Sequence, residues 1–195
     1  MGKPIFILAS SSVYRKKLLE RLCIPFSTWA PEVDETPLPG EASSDTAARL
    51  AEAKARACKV VAAESLVIGS DQVAMLDDEV LGKPYTFENA LRQLRKTRGR
   101  AVQFHTGLAL WNTAADRMQS RVVSTVVHFR DYTDEEIHAY LKKEQPYHCA
   151  GSAQSEGLGI ALIQSIQGDD PTALIGLPLI ALVAMLRQES VSVLD

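Results

Sequence analysis

The chain has 195 residues, 46% of them apolar and 23% charged, with a net charge of -3 and a pI near 5.8. That excludes wholesale disorder, and it leaves no global electrostatic pull toward nucleic acid or an anionic membrane. The length fits one sizeable α/β domain, taken as 1–195.

Ile5 to Ala9 reads as a buried strand. Ser10, Ser11 and Ser12 follow it, and a helix pattern then runs from Val13 to Leu22, ahead of Pro25. Ala30 to Gly40 is an acidic, proline-rich loop. Asp45 to Glu64 reads as a long, alanine-rich helix. Ser65 to Gly69 is a second buried strand. Gln72 to Leu76 and Glu79 to Leu81 form a hairpin around Asp77 and Asp78. Thr86 to Arg98 is helical, with Gly99 as its cap. Val102 to Trp111 and Ser120 to Arg130 alternate as strands. Thr133 caps a helix reaching Glu144. Ile160 to Ile166 reads as strand, and Pro178 opens a last helix. Strands mixed with helices and hairpins predict an α/β fold with a mixed sheet.

The longest apolar tract, Leu174 to Leu186, is broken by Gly176 and Pro178 and is shorter than the ~20 residues that span a bilayer. The start of the chain lacks a secretory pattern. Cys23, Cys58 and Cys149 are odd in number and widely spaced, which predicts reduced thiols in a cytoplasmic protein. His105, His128, His138 and His148 have no metal-ligand spacing.

Two helices carry inward-facing cations. With Leu50 at zero, Lys54 falls at about 40°, inside an apolar stripe of Leu50, Val61, Ala57 and Ala47, while Glu52, Arg56 and Lys59 face away. Lys54 is either a lysine laying its stem over apolar surface or the cation of an anion site facing the sheet. In the first helix, with Leu18 at zero, Arg15 falls at about 60°. It also lies in the first turn, where free N–H groups favour anions. Ser10, Ser11, Ser12 and Arg15 therefore read as a phosphate cradle, the alternative being a serine N-cap beside a surface arginine. A strand ends at Gly69 and Asp71 stands just beyond it, at the strand end where α/β folds collect ligands. Asp71 is placed to activate water or hold a metal. Lys83 sits between Gly82 and Pro84, and Glu35 belongs to a carboxylate cluster suited to a hard cation.

Seven stretches in order resemble the Maf family of nucleotide pyrophosphatases: Leu8 to Arg15, Glu32 to Thr36, Arg49 to Ala55, Ile68 to Gln72, Gly82 to Pro84, His105 to Leu108 and Gly168 to Pro178. The resemblance implies an elongated α/β fold with a mixed sheet flanked by helices and a cleft between two lobes. The implied fold is similar to that of inosine triphosphate pyrophosphatases, and the resemblance also implies a homodimer. The implied activity is hydrolysis of a nucleoside triphosphate to the monophosphate and pyrophosphate with Mg²⁺ or Mn²⁺. The implied roles are phosphate binding for Ser10, Ser12, Arg15, Lys54 and Lys83, an acidic loop residue for Glu35, and proton acceptance for Asp71, with Glu35 and Asp71 nearest the metal.

Within the family, "His148-Cys-Ala-Gly-Ser152", "Ser155-Glu-Gly157" and "Ile175-Gly-Leu-Pro-Leu-Ile-Ala-Leu182" resemble the branch acting on 7-methyl-GTP. That branch often carries tryptophan at Tyr14 and proline at Val13. Tyr14 keeps an aromatic face, suited to a cationic methylated purine by cation–π contact. Glu156 is suited to the guanine N1 and N2 donors, and Gln72 to a base edge. Tyr14, Gln72 and Glu156 are thus the expected specificity residues. The alternatives are a dTTP/UTP pyrophosphatase of the same family and a non-catalytic nucleotide-binding regulator of cell division. Asp71 weighs against the regulator, because a pure binder gains nothing from a carboxylate beside phosphates. A small-molecule nucleotide is the expected partner, with no nucleic acid and no membrane.

Overall fold

The structure is a computed structural model that describes residues 4–59 and 64–194. Its described residues contain a seven-stranded mixed sheet and five helices. The strands are β1 (Ile5–Ala9), β2 (Phe26–Trp29), β3 (Ser65–Leu76), β4 (Glu79–Val80), β5 (Ala101–Asn112), β6 (Arg117–Phe129) and β7 (Ile163–Gln167). The helices are α1 (Val13–Glu20), α2 (Ser43–Arg56), α3 (Phe87–Thr97), α4 (Asp134–Glu144) and α5 (Leu179–Gln188). The strand order is β2-β1-β3-β5-β6-β7, with β4 paired to β3. β1 runs parallel to β2 and β3, while β4 and β7 pair antiparallel to β3 and β6. The predicted α/β class with a mixed sheet holds.

The chain divides into two compact units. The first comprises residues 1–71, 106–123 and 170–195, and the second residues 72–105 and 124–169.

In the first unit the period-two alternation of each strand feeds two apolar clusters. Phe6, Leu8, Leu66, Ile68, Leu108 and Leu110 pack with Leu18 and Leu19 of α1 and with Leu182 and Leu186 of α5. Ile7, Ala9, Val67 and Ala109 point the other way and pack with Ala51 and Ala55 of α2. The sheet therefore carries α1 and α5 on one face and α2 on the other. Glycine sets how closely α2 can lie. A Cβ on Gly69 would stand 2.1 Å from the Ala51 carbonyl oxygen, and one on Gly107 would stand 2.1 Å from that of Ala47. Two strand glycines facing an alanine stripe bring backbone against backbone.

This approach corrects one sequence expectation. Gly69 does not end a strand. β3 continues through Ser70 and Asp71 to Leu76 as one twelve-residue strand, because the glycine serves helix contact and not a turn. β1, by contrast, stops at Ala9, whose register partner is Gly69. Asp71 thus stands two residues past the carboxyl end of β1, beside the chain that turns into Ser10.

Other boundaries shift for local reasons. β2 lies outside the strands expected from sequence, since four residues with half-buried Phe26 and Trp29 at their ends carry little periodic signal. α2 closes at Arg56, short of Glu64. The Cys58 N–H bonds back to the Ala55 carbonyl in a tightened last turn, and residues 60–63 lie outside the described residues. Val61, placed on the helix stripe from sequence, lies outside the described residues. Ile160 sits in a short 3-10 turn, and β7 begins at Ile163. Pro178 is the N-cap of α5 and not its first residue.

Asp170 and Thr172 complete that cap. The Asp170 carboxylate accepts from the Ile180 and Ala181 N–H groups at 2.7 and 3.3 Å, and Thr172 Oγ1 accepts from Leu179 N–H at 2.8 Å. They satisfy the free donors of a helix start that has no side-chain cap of its own.

In the second unit, α3 and α4 pack together. Thr133 and Glu136 form the expected capping box, and Gly99 follows α3 at φ +65°. Arg95 and Arg98 both pair with Asp134 at the start of α4.

Candidate active site

The phosphate-cradle residues come together at the end of β1. Ser10 is buried, and its hydroxyl accepts from the Ser12 N–H at 3.1 Å and from Arg15 Nη1 at 3.4 Å. Ser12 is the N-cap of α1 and accepts from the Arg15 N–H. Arg15 Nε donates to the Gly176 carbonyl at 2.8 Å. These contacts fix the plane of the guanidinium while using two of its five N–H donors. Burial lowers the Arg15 pKa from its ordinary value, and the Asp71 and Glu35 carboxylates oppose that shift. Arg15, Asp71 and Glu35 therefore share one electrostatic neighbourhood.

Lys54 is buried, as the helical wheel predicts. Its ammonium meets Asp71 Oδ1 at 2.5 Å and Glu35 Oε1 at 2.6 Å. Asp71 is only 8% exposed, and the Glu35 side chain is 53% exposed. So Lys54 is not an unpartnered cation awaiting an anion. It joins a carboxylate from the strand to one from the acidic loop. α2 can deliver it there because the Gly69 and Gly107 contacts hold the helix against the sheet.

Ser70, the residue before Asp71, is fully buried, with its hydroxyl 2.8 Å from both the Gly107 and Gly176 carbonyls. One hydroxyl hydrogen serves the two acceptors. Gly176 thus accepts from Ser70 and Arg15 alike, and ties the start of α5 to the strand and helix that carry Asp71 and Arg15. Neither Ser70 nor Gly176 carries a sequence signal of its own. The resemblance of the segments that contain them is the only pointer.

Tyr14 is half-buried on α1, directly before Arg15. The remaining predicted residues belong to the second unit. Gln72 is half-buried in β3, Lys83 is exposed between β4 and α3, and Glu156 lies in the loop between the two 3-10 turns. Partial desolvation raises the Glu156 pKa, and the Glu144 carboxylate adds to that rise.

Cys149, nearby in sequence, has its thiol pushed up to about 12, first by burial and then by Glu156. Thiolate is the reactive form. Iodoacetamide at pH 8 is therefore expected to label exposed Cys23 and to spare Cys149 and buried Cys58. Peptide mapping reads this, and equal labelling of Cys149 and Cys23 contradicts the burial effect.

Among the described residues no three His, Cys, Asp or Glu side chains form a ready metal cage. The two carboxylates on Lys54 are nevertheless hard oxygen donors at one place. Mg²⁺-type sites commonly use one or two carboxylates and take the rest of their ligands from water and substrate phosphates, so the residues present fit such a cation. No helix of the described residues is long and apolar enough to cross a membrane.

The family model of Maf-like proteins matches residues 5–189. The chain belongs to the Maf-like family. Over 98% of its length it is 59% identical to a protein of Thiobacillus denitrificans named 7-methyl-GTP pyrophosphatase, covering 95% of that relative. It is 56% identical to one of the same name from Methylobacillus flagellatus, covering all of it, and 57% identical to one from Burkholderia thailandensis, covering 91%. The Maf-like matched region contains all the site residues named above.

Proposed function

We propose that this Maf-like chain hydrolyses 7-methyl-GTP to 7-methyl-GMP and pyrophosphate, clearing a modified nucleotide from the pool. The observation that carries the proposal is the buried Lys54–Asp71 pair, with Glu35 on the same ammonium, in a chain alike along nearly its whole length to proteins named for that hydrolysis.

The reaction adds water at the α-phosphorus, breaks the bond to the bridging oxygen, and releases pyrophosphate and a proton. Asp71 is the proton acceptor. Lys54 holds its Oδ1, which fixes the carboxylate and leaves Oδ2 to take the proton of the attacking water. Arg15, anchored on Gly176 and Ser10, directs its remaining N–H groups at phosphate oxygens. Its contacts exist before substrate arrives, so little reorganisation is needed as charge develops. Ser10 and Ser12 set the turn into α1, and the first-turn N–H groups favour an anion there. The family resemblance gives Lys83 a phosphate-binding role. Glu35 and Asp71 would hold Mg²⁺ or Mn²⁺, which when bound neutralises phosphate charge.

Tyr14, Gln72 and Glu156 choose the base. N7-methylation makes the guanine ring cationic, and a carboxylate complements both that charge and the two ring-edge donors. In Glu156→Gln, kcat/KM for 7-methyl-GTP should fall about ten- to a hundredfold, the cost of one charge-assisted hydrogen bond, and by less for UTP and dTTP. Pyrophosphate release from wild type and variant on 7-methyl-GTP, GTP, UTP and dTTP tests both claims. A wild-type preference for UTP or dTTP overturns the substrate, and equal losses on all substrates remove Glu156 from base selection.

A further inference from the structure

Glu35 presents a mechanical problem. Its side chain is 53% exposed, and its loop is neither helix nor strand from Ala30 to Ala42. Such a loop would ordinarily let a carboxylate wander. Yet Glu35 Oε1 lies 2.6 Å from Lys54.

The loop is held at its far end by Arg49 of α2. Arg49 Nε and Nη2 grip the two oxygens of Glu41 at 2.6 and 2.8 Å. Glu41 also accepts from the Leu38 N–H at 3.1 Å and from the Thr46 hydroxyl at 2.9 Å. Arg49 Nη2 then reaches the Thr36 carbonyl at 3.2 Å, one residue from Glu35. The Thr36 N–H in turn donates to Asp34 at 2.9 Å. The hydrogen bonds from Arg49 hold the Glu41 carboxyl down at about 2, with lesser help from Leu38 and Thr46. The fork therefore stays charged at any working pH. Lys54 and Arg49 are five residues apart on one helix, so the helix that carries the ammonium also carries the grip on the loop opposite it.

We propose that Arg49, through its fork on Glu41 and its bond to the Thr36 carbonyl, is a positioning residue that holds Glu35 against Lys54 for the reaction. The consequence for turnover rests on the function proposed above. The placement of the loop does not. An arginine is needed because two parallel N–H bonds and a third to the backbone require a planar fork, which lysine lacks.

Two readouts test this on the full chain. Amide hydrogen exchange at Glu35, Thr36 and Leu38 should rise in Arg49→Met and Arg49→Lys, while exchange in α1 stays as in wild type. Unchanged exchange in the loop overturns the proposal. For turnover, Arg49→Met should lower kcat about tenfold to a hundredfold, as misplacement of a reacting group does, with KM little changed. In a Glu35→Gln background the same substitution should cost no further kcat, because the residue it positions is already disabled. An equal loss in both backgrounds, accompanied by a general fall in stability, would mean that Arg49 serves only folding. If the wild-type chain releases no pyrophosphate from 7-methyl-GTP, the substrate reading falls, and the exchange measurement alone decides the clamp.

Discussion

Asp71→Asn is expected to lower kcat by about 10²- to 10⁴-fold, the usual contribution of a positioned general base. The amide has the size of the carboxylate, and its oxygen can still accept from the Lys54 ammonium. What it cannot do is take a proton from water at neutral pH. The loss should therefore fall on kcat, with KM within a few-fold of wild type. Steady-state pyrophosphate release gives both constants, and calorimetric titration with the intact nucleotide checks that binding survives. A variant that turns over at the wild-type rate removes Asp71 from the chemistry, and one that no longer binds nucleotide makes it a binding group instead.

Much of this site is legible in the sequence because it is built from short-range rules. Helical geometry alone turns Lys54 and Arg15 inward, and both are buried or half-buried there. The serines at the β1 end and the capping of α1 follow from side-chain chemistry within a few residues. What the sequence hides is long-range. The carbonyl of Gly176, 161 residues from Arg15, orients that guanidinium, and no spacing rule joins the two. The strand break expected at Gly69 fails for a related reason. Glycine signals both turns and close backbone approach, and only the packing of Ala51 against it decides between them. The pairing of Lys54 with two carboxylates is equally hidden. The sequence offers an inward lysine and two acids on three separate elements, and the sheet is what joins them.

That pairing sets the second large effect. Lys54→Met keeps an unbranched side chain of similar length and removes only the ammonium. Asp71 then stays buried, 8% exposed, without the ammonium it pairs with, and keeps the fields of Arg15 and Arg49. Breaking a buried pair by deleting one partner costs about 3–5 kcal/mol, mostly the penalty of the stranded ion. Glu35, half exposed, loses less, since water screens it. The expected result is a large fall in the urea midpoint of Lys54→Met and a much smaller one in Asp71→Asn, which leaves the ammonium Glu35 and the amide oxygen as partners. The decisive variant carries both substitutions. With a neutral amide in place of the Asp71 carboxylate there is no stranded charge, so the double variant should recover most of the stability that Lys54→Met lost, although it stays inactive. Recovery of stability would show that neutralising Asp71 is what the fold takes from the Lys54 ammonium, the inactivity of the double variant following from Asp71→Asn alone. If the double variant is as unstable as Lys54→Met alone, the stranded Asp71 charge is not the cause, and what the fold requires is another contact of the ammonium, such as its pair with Glu35.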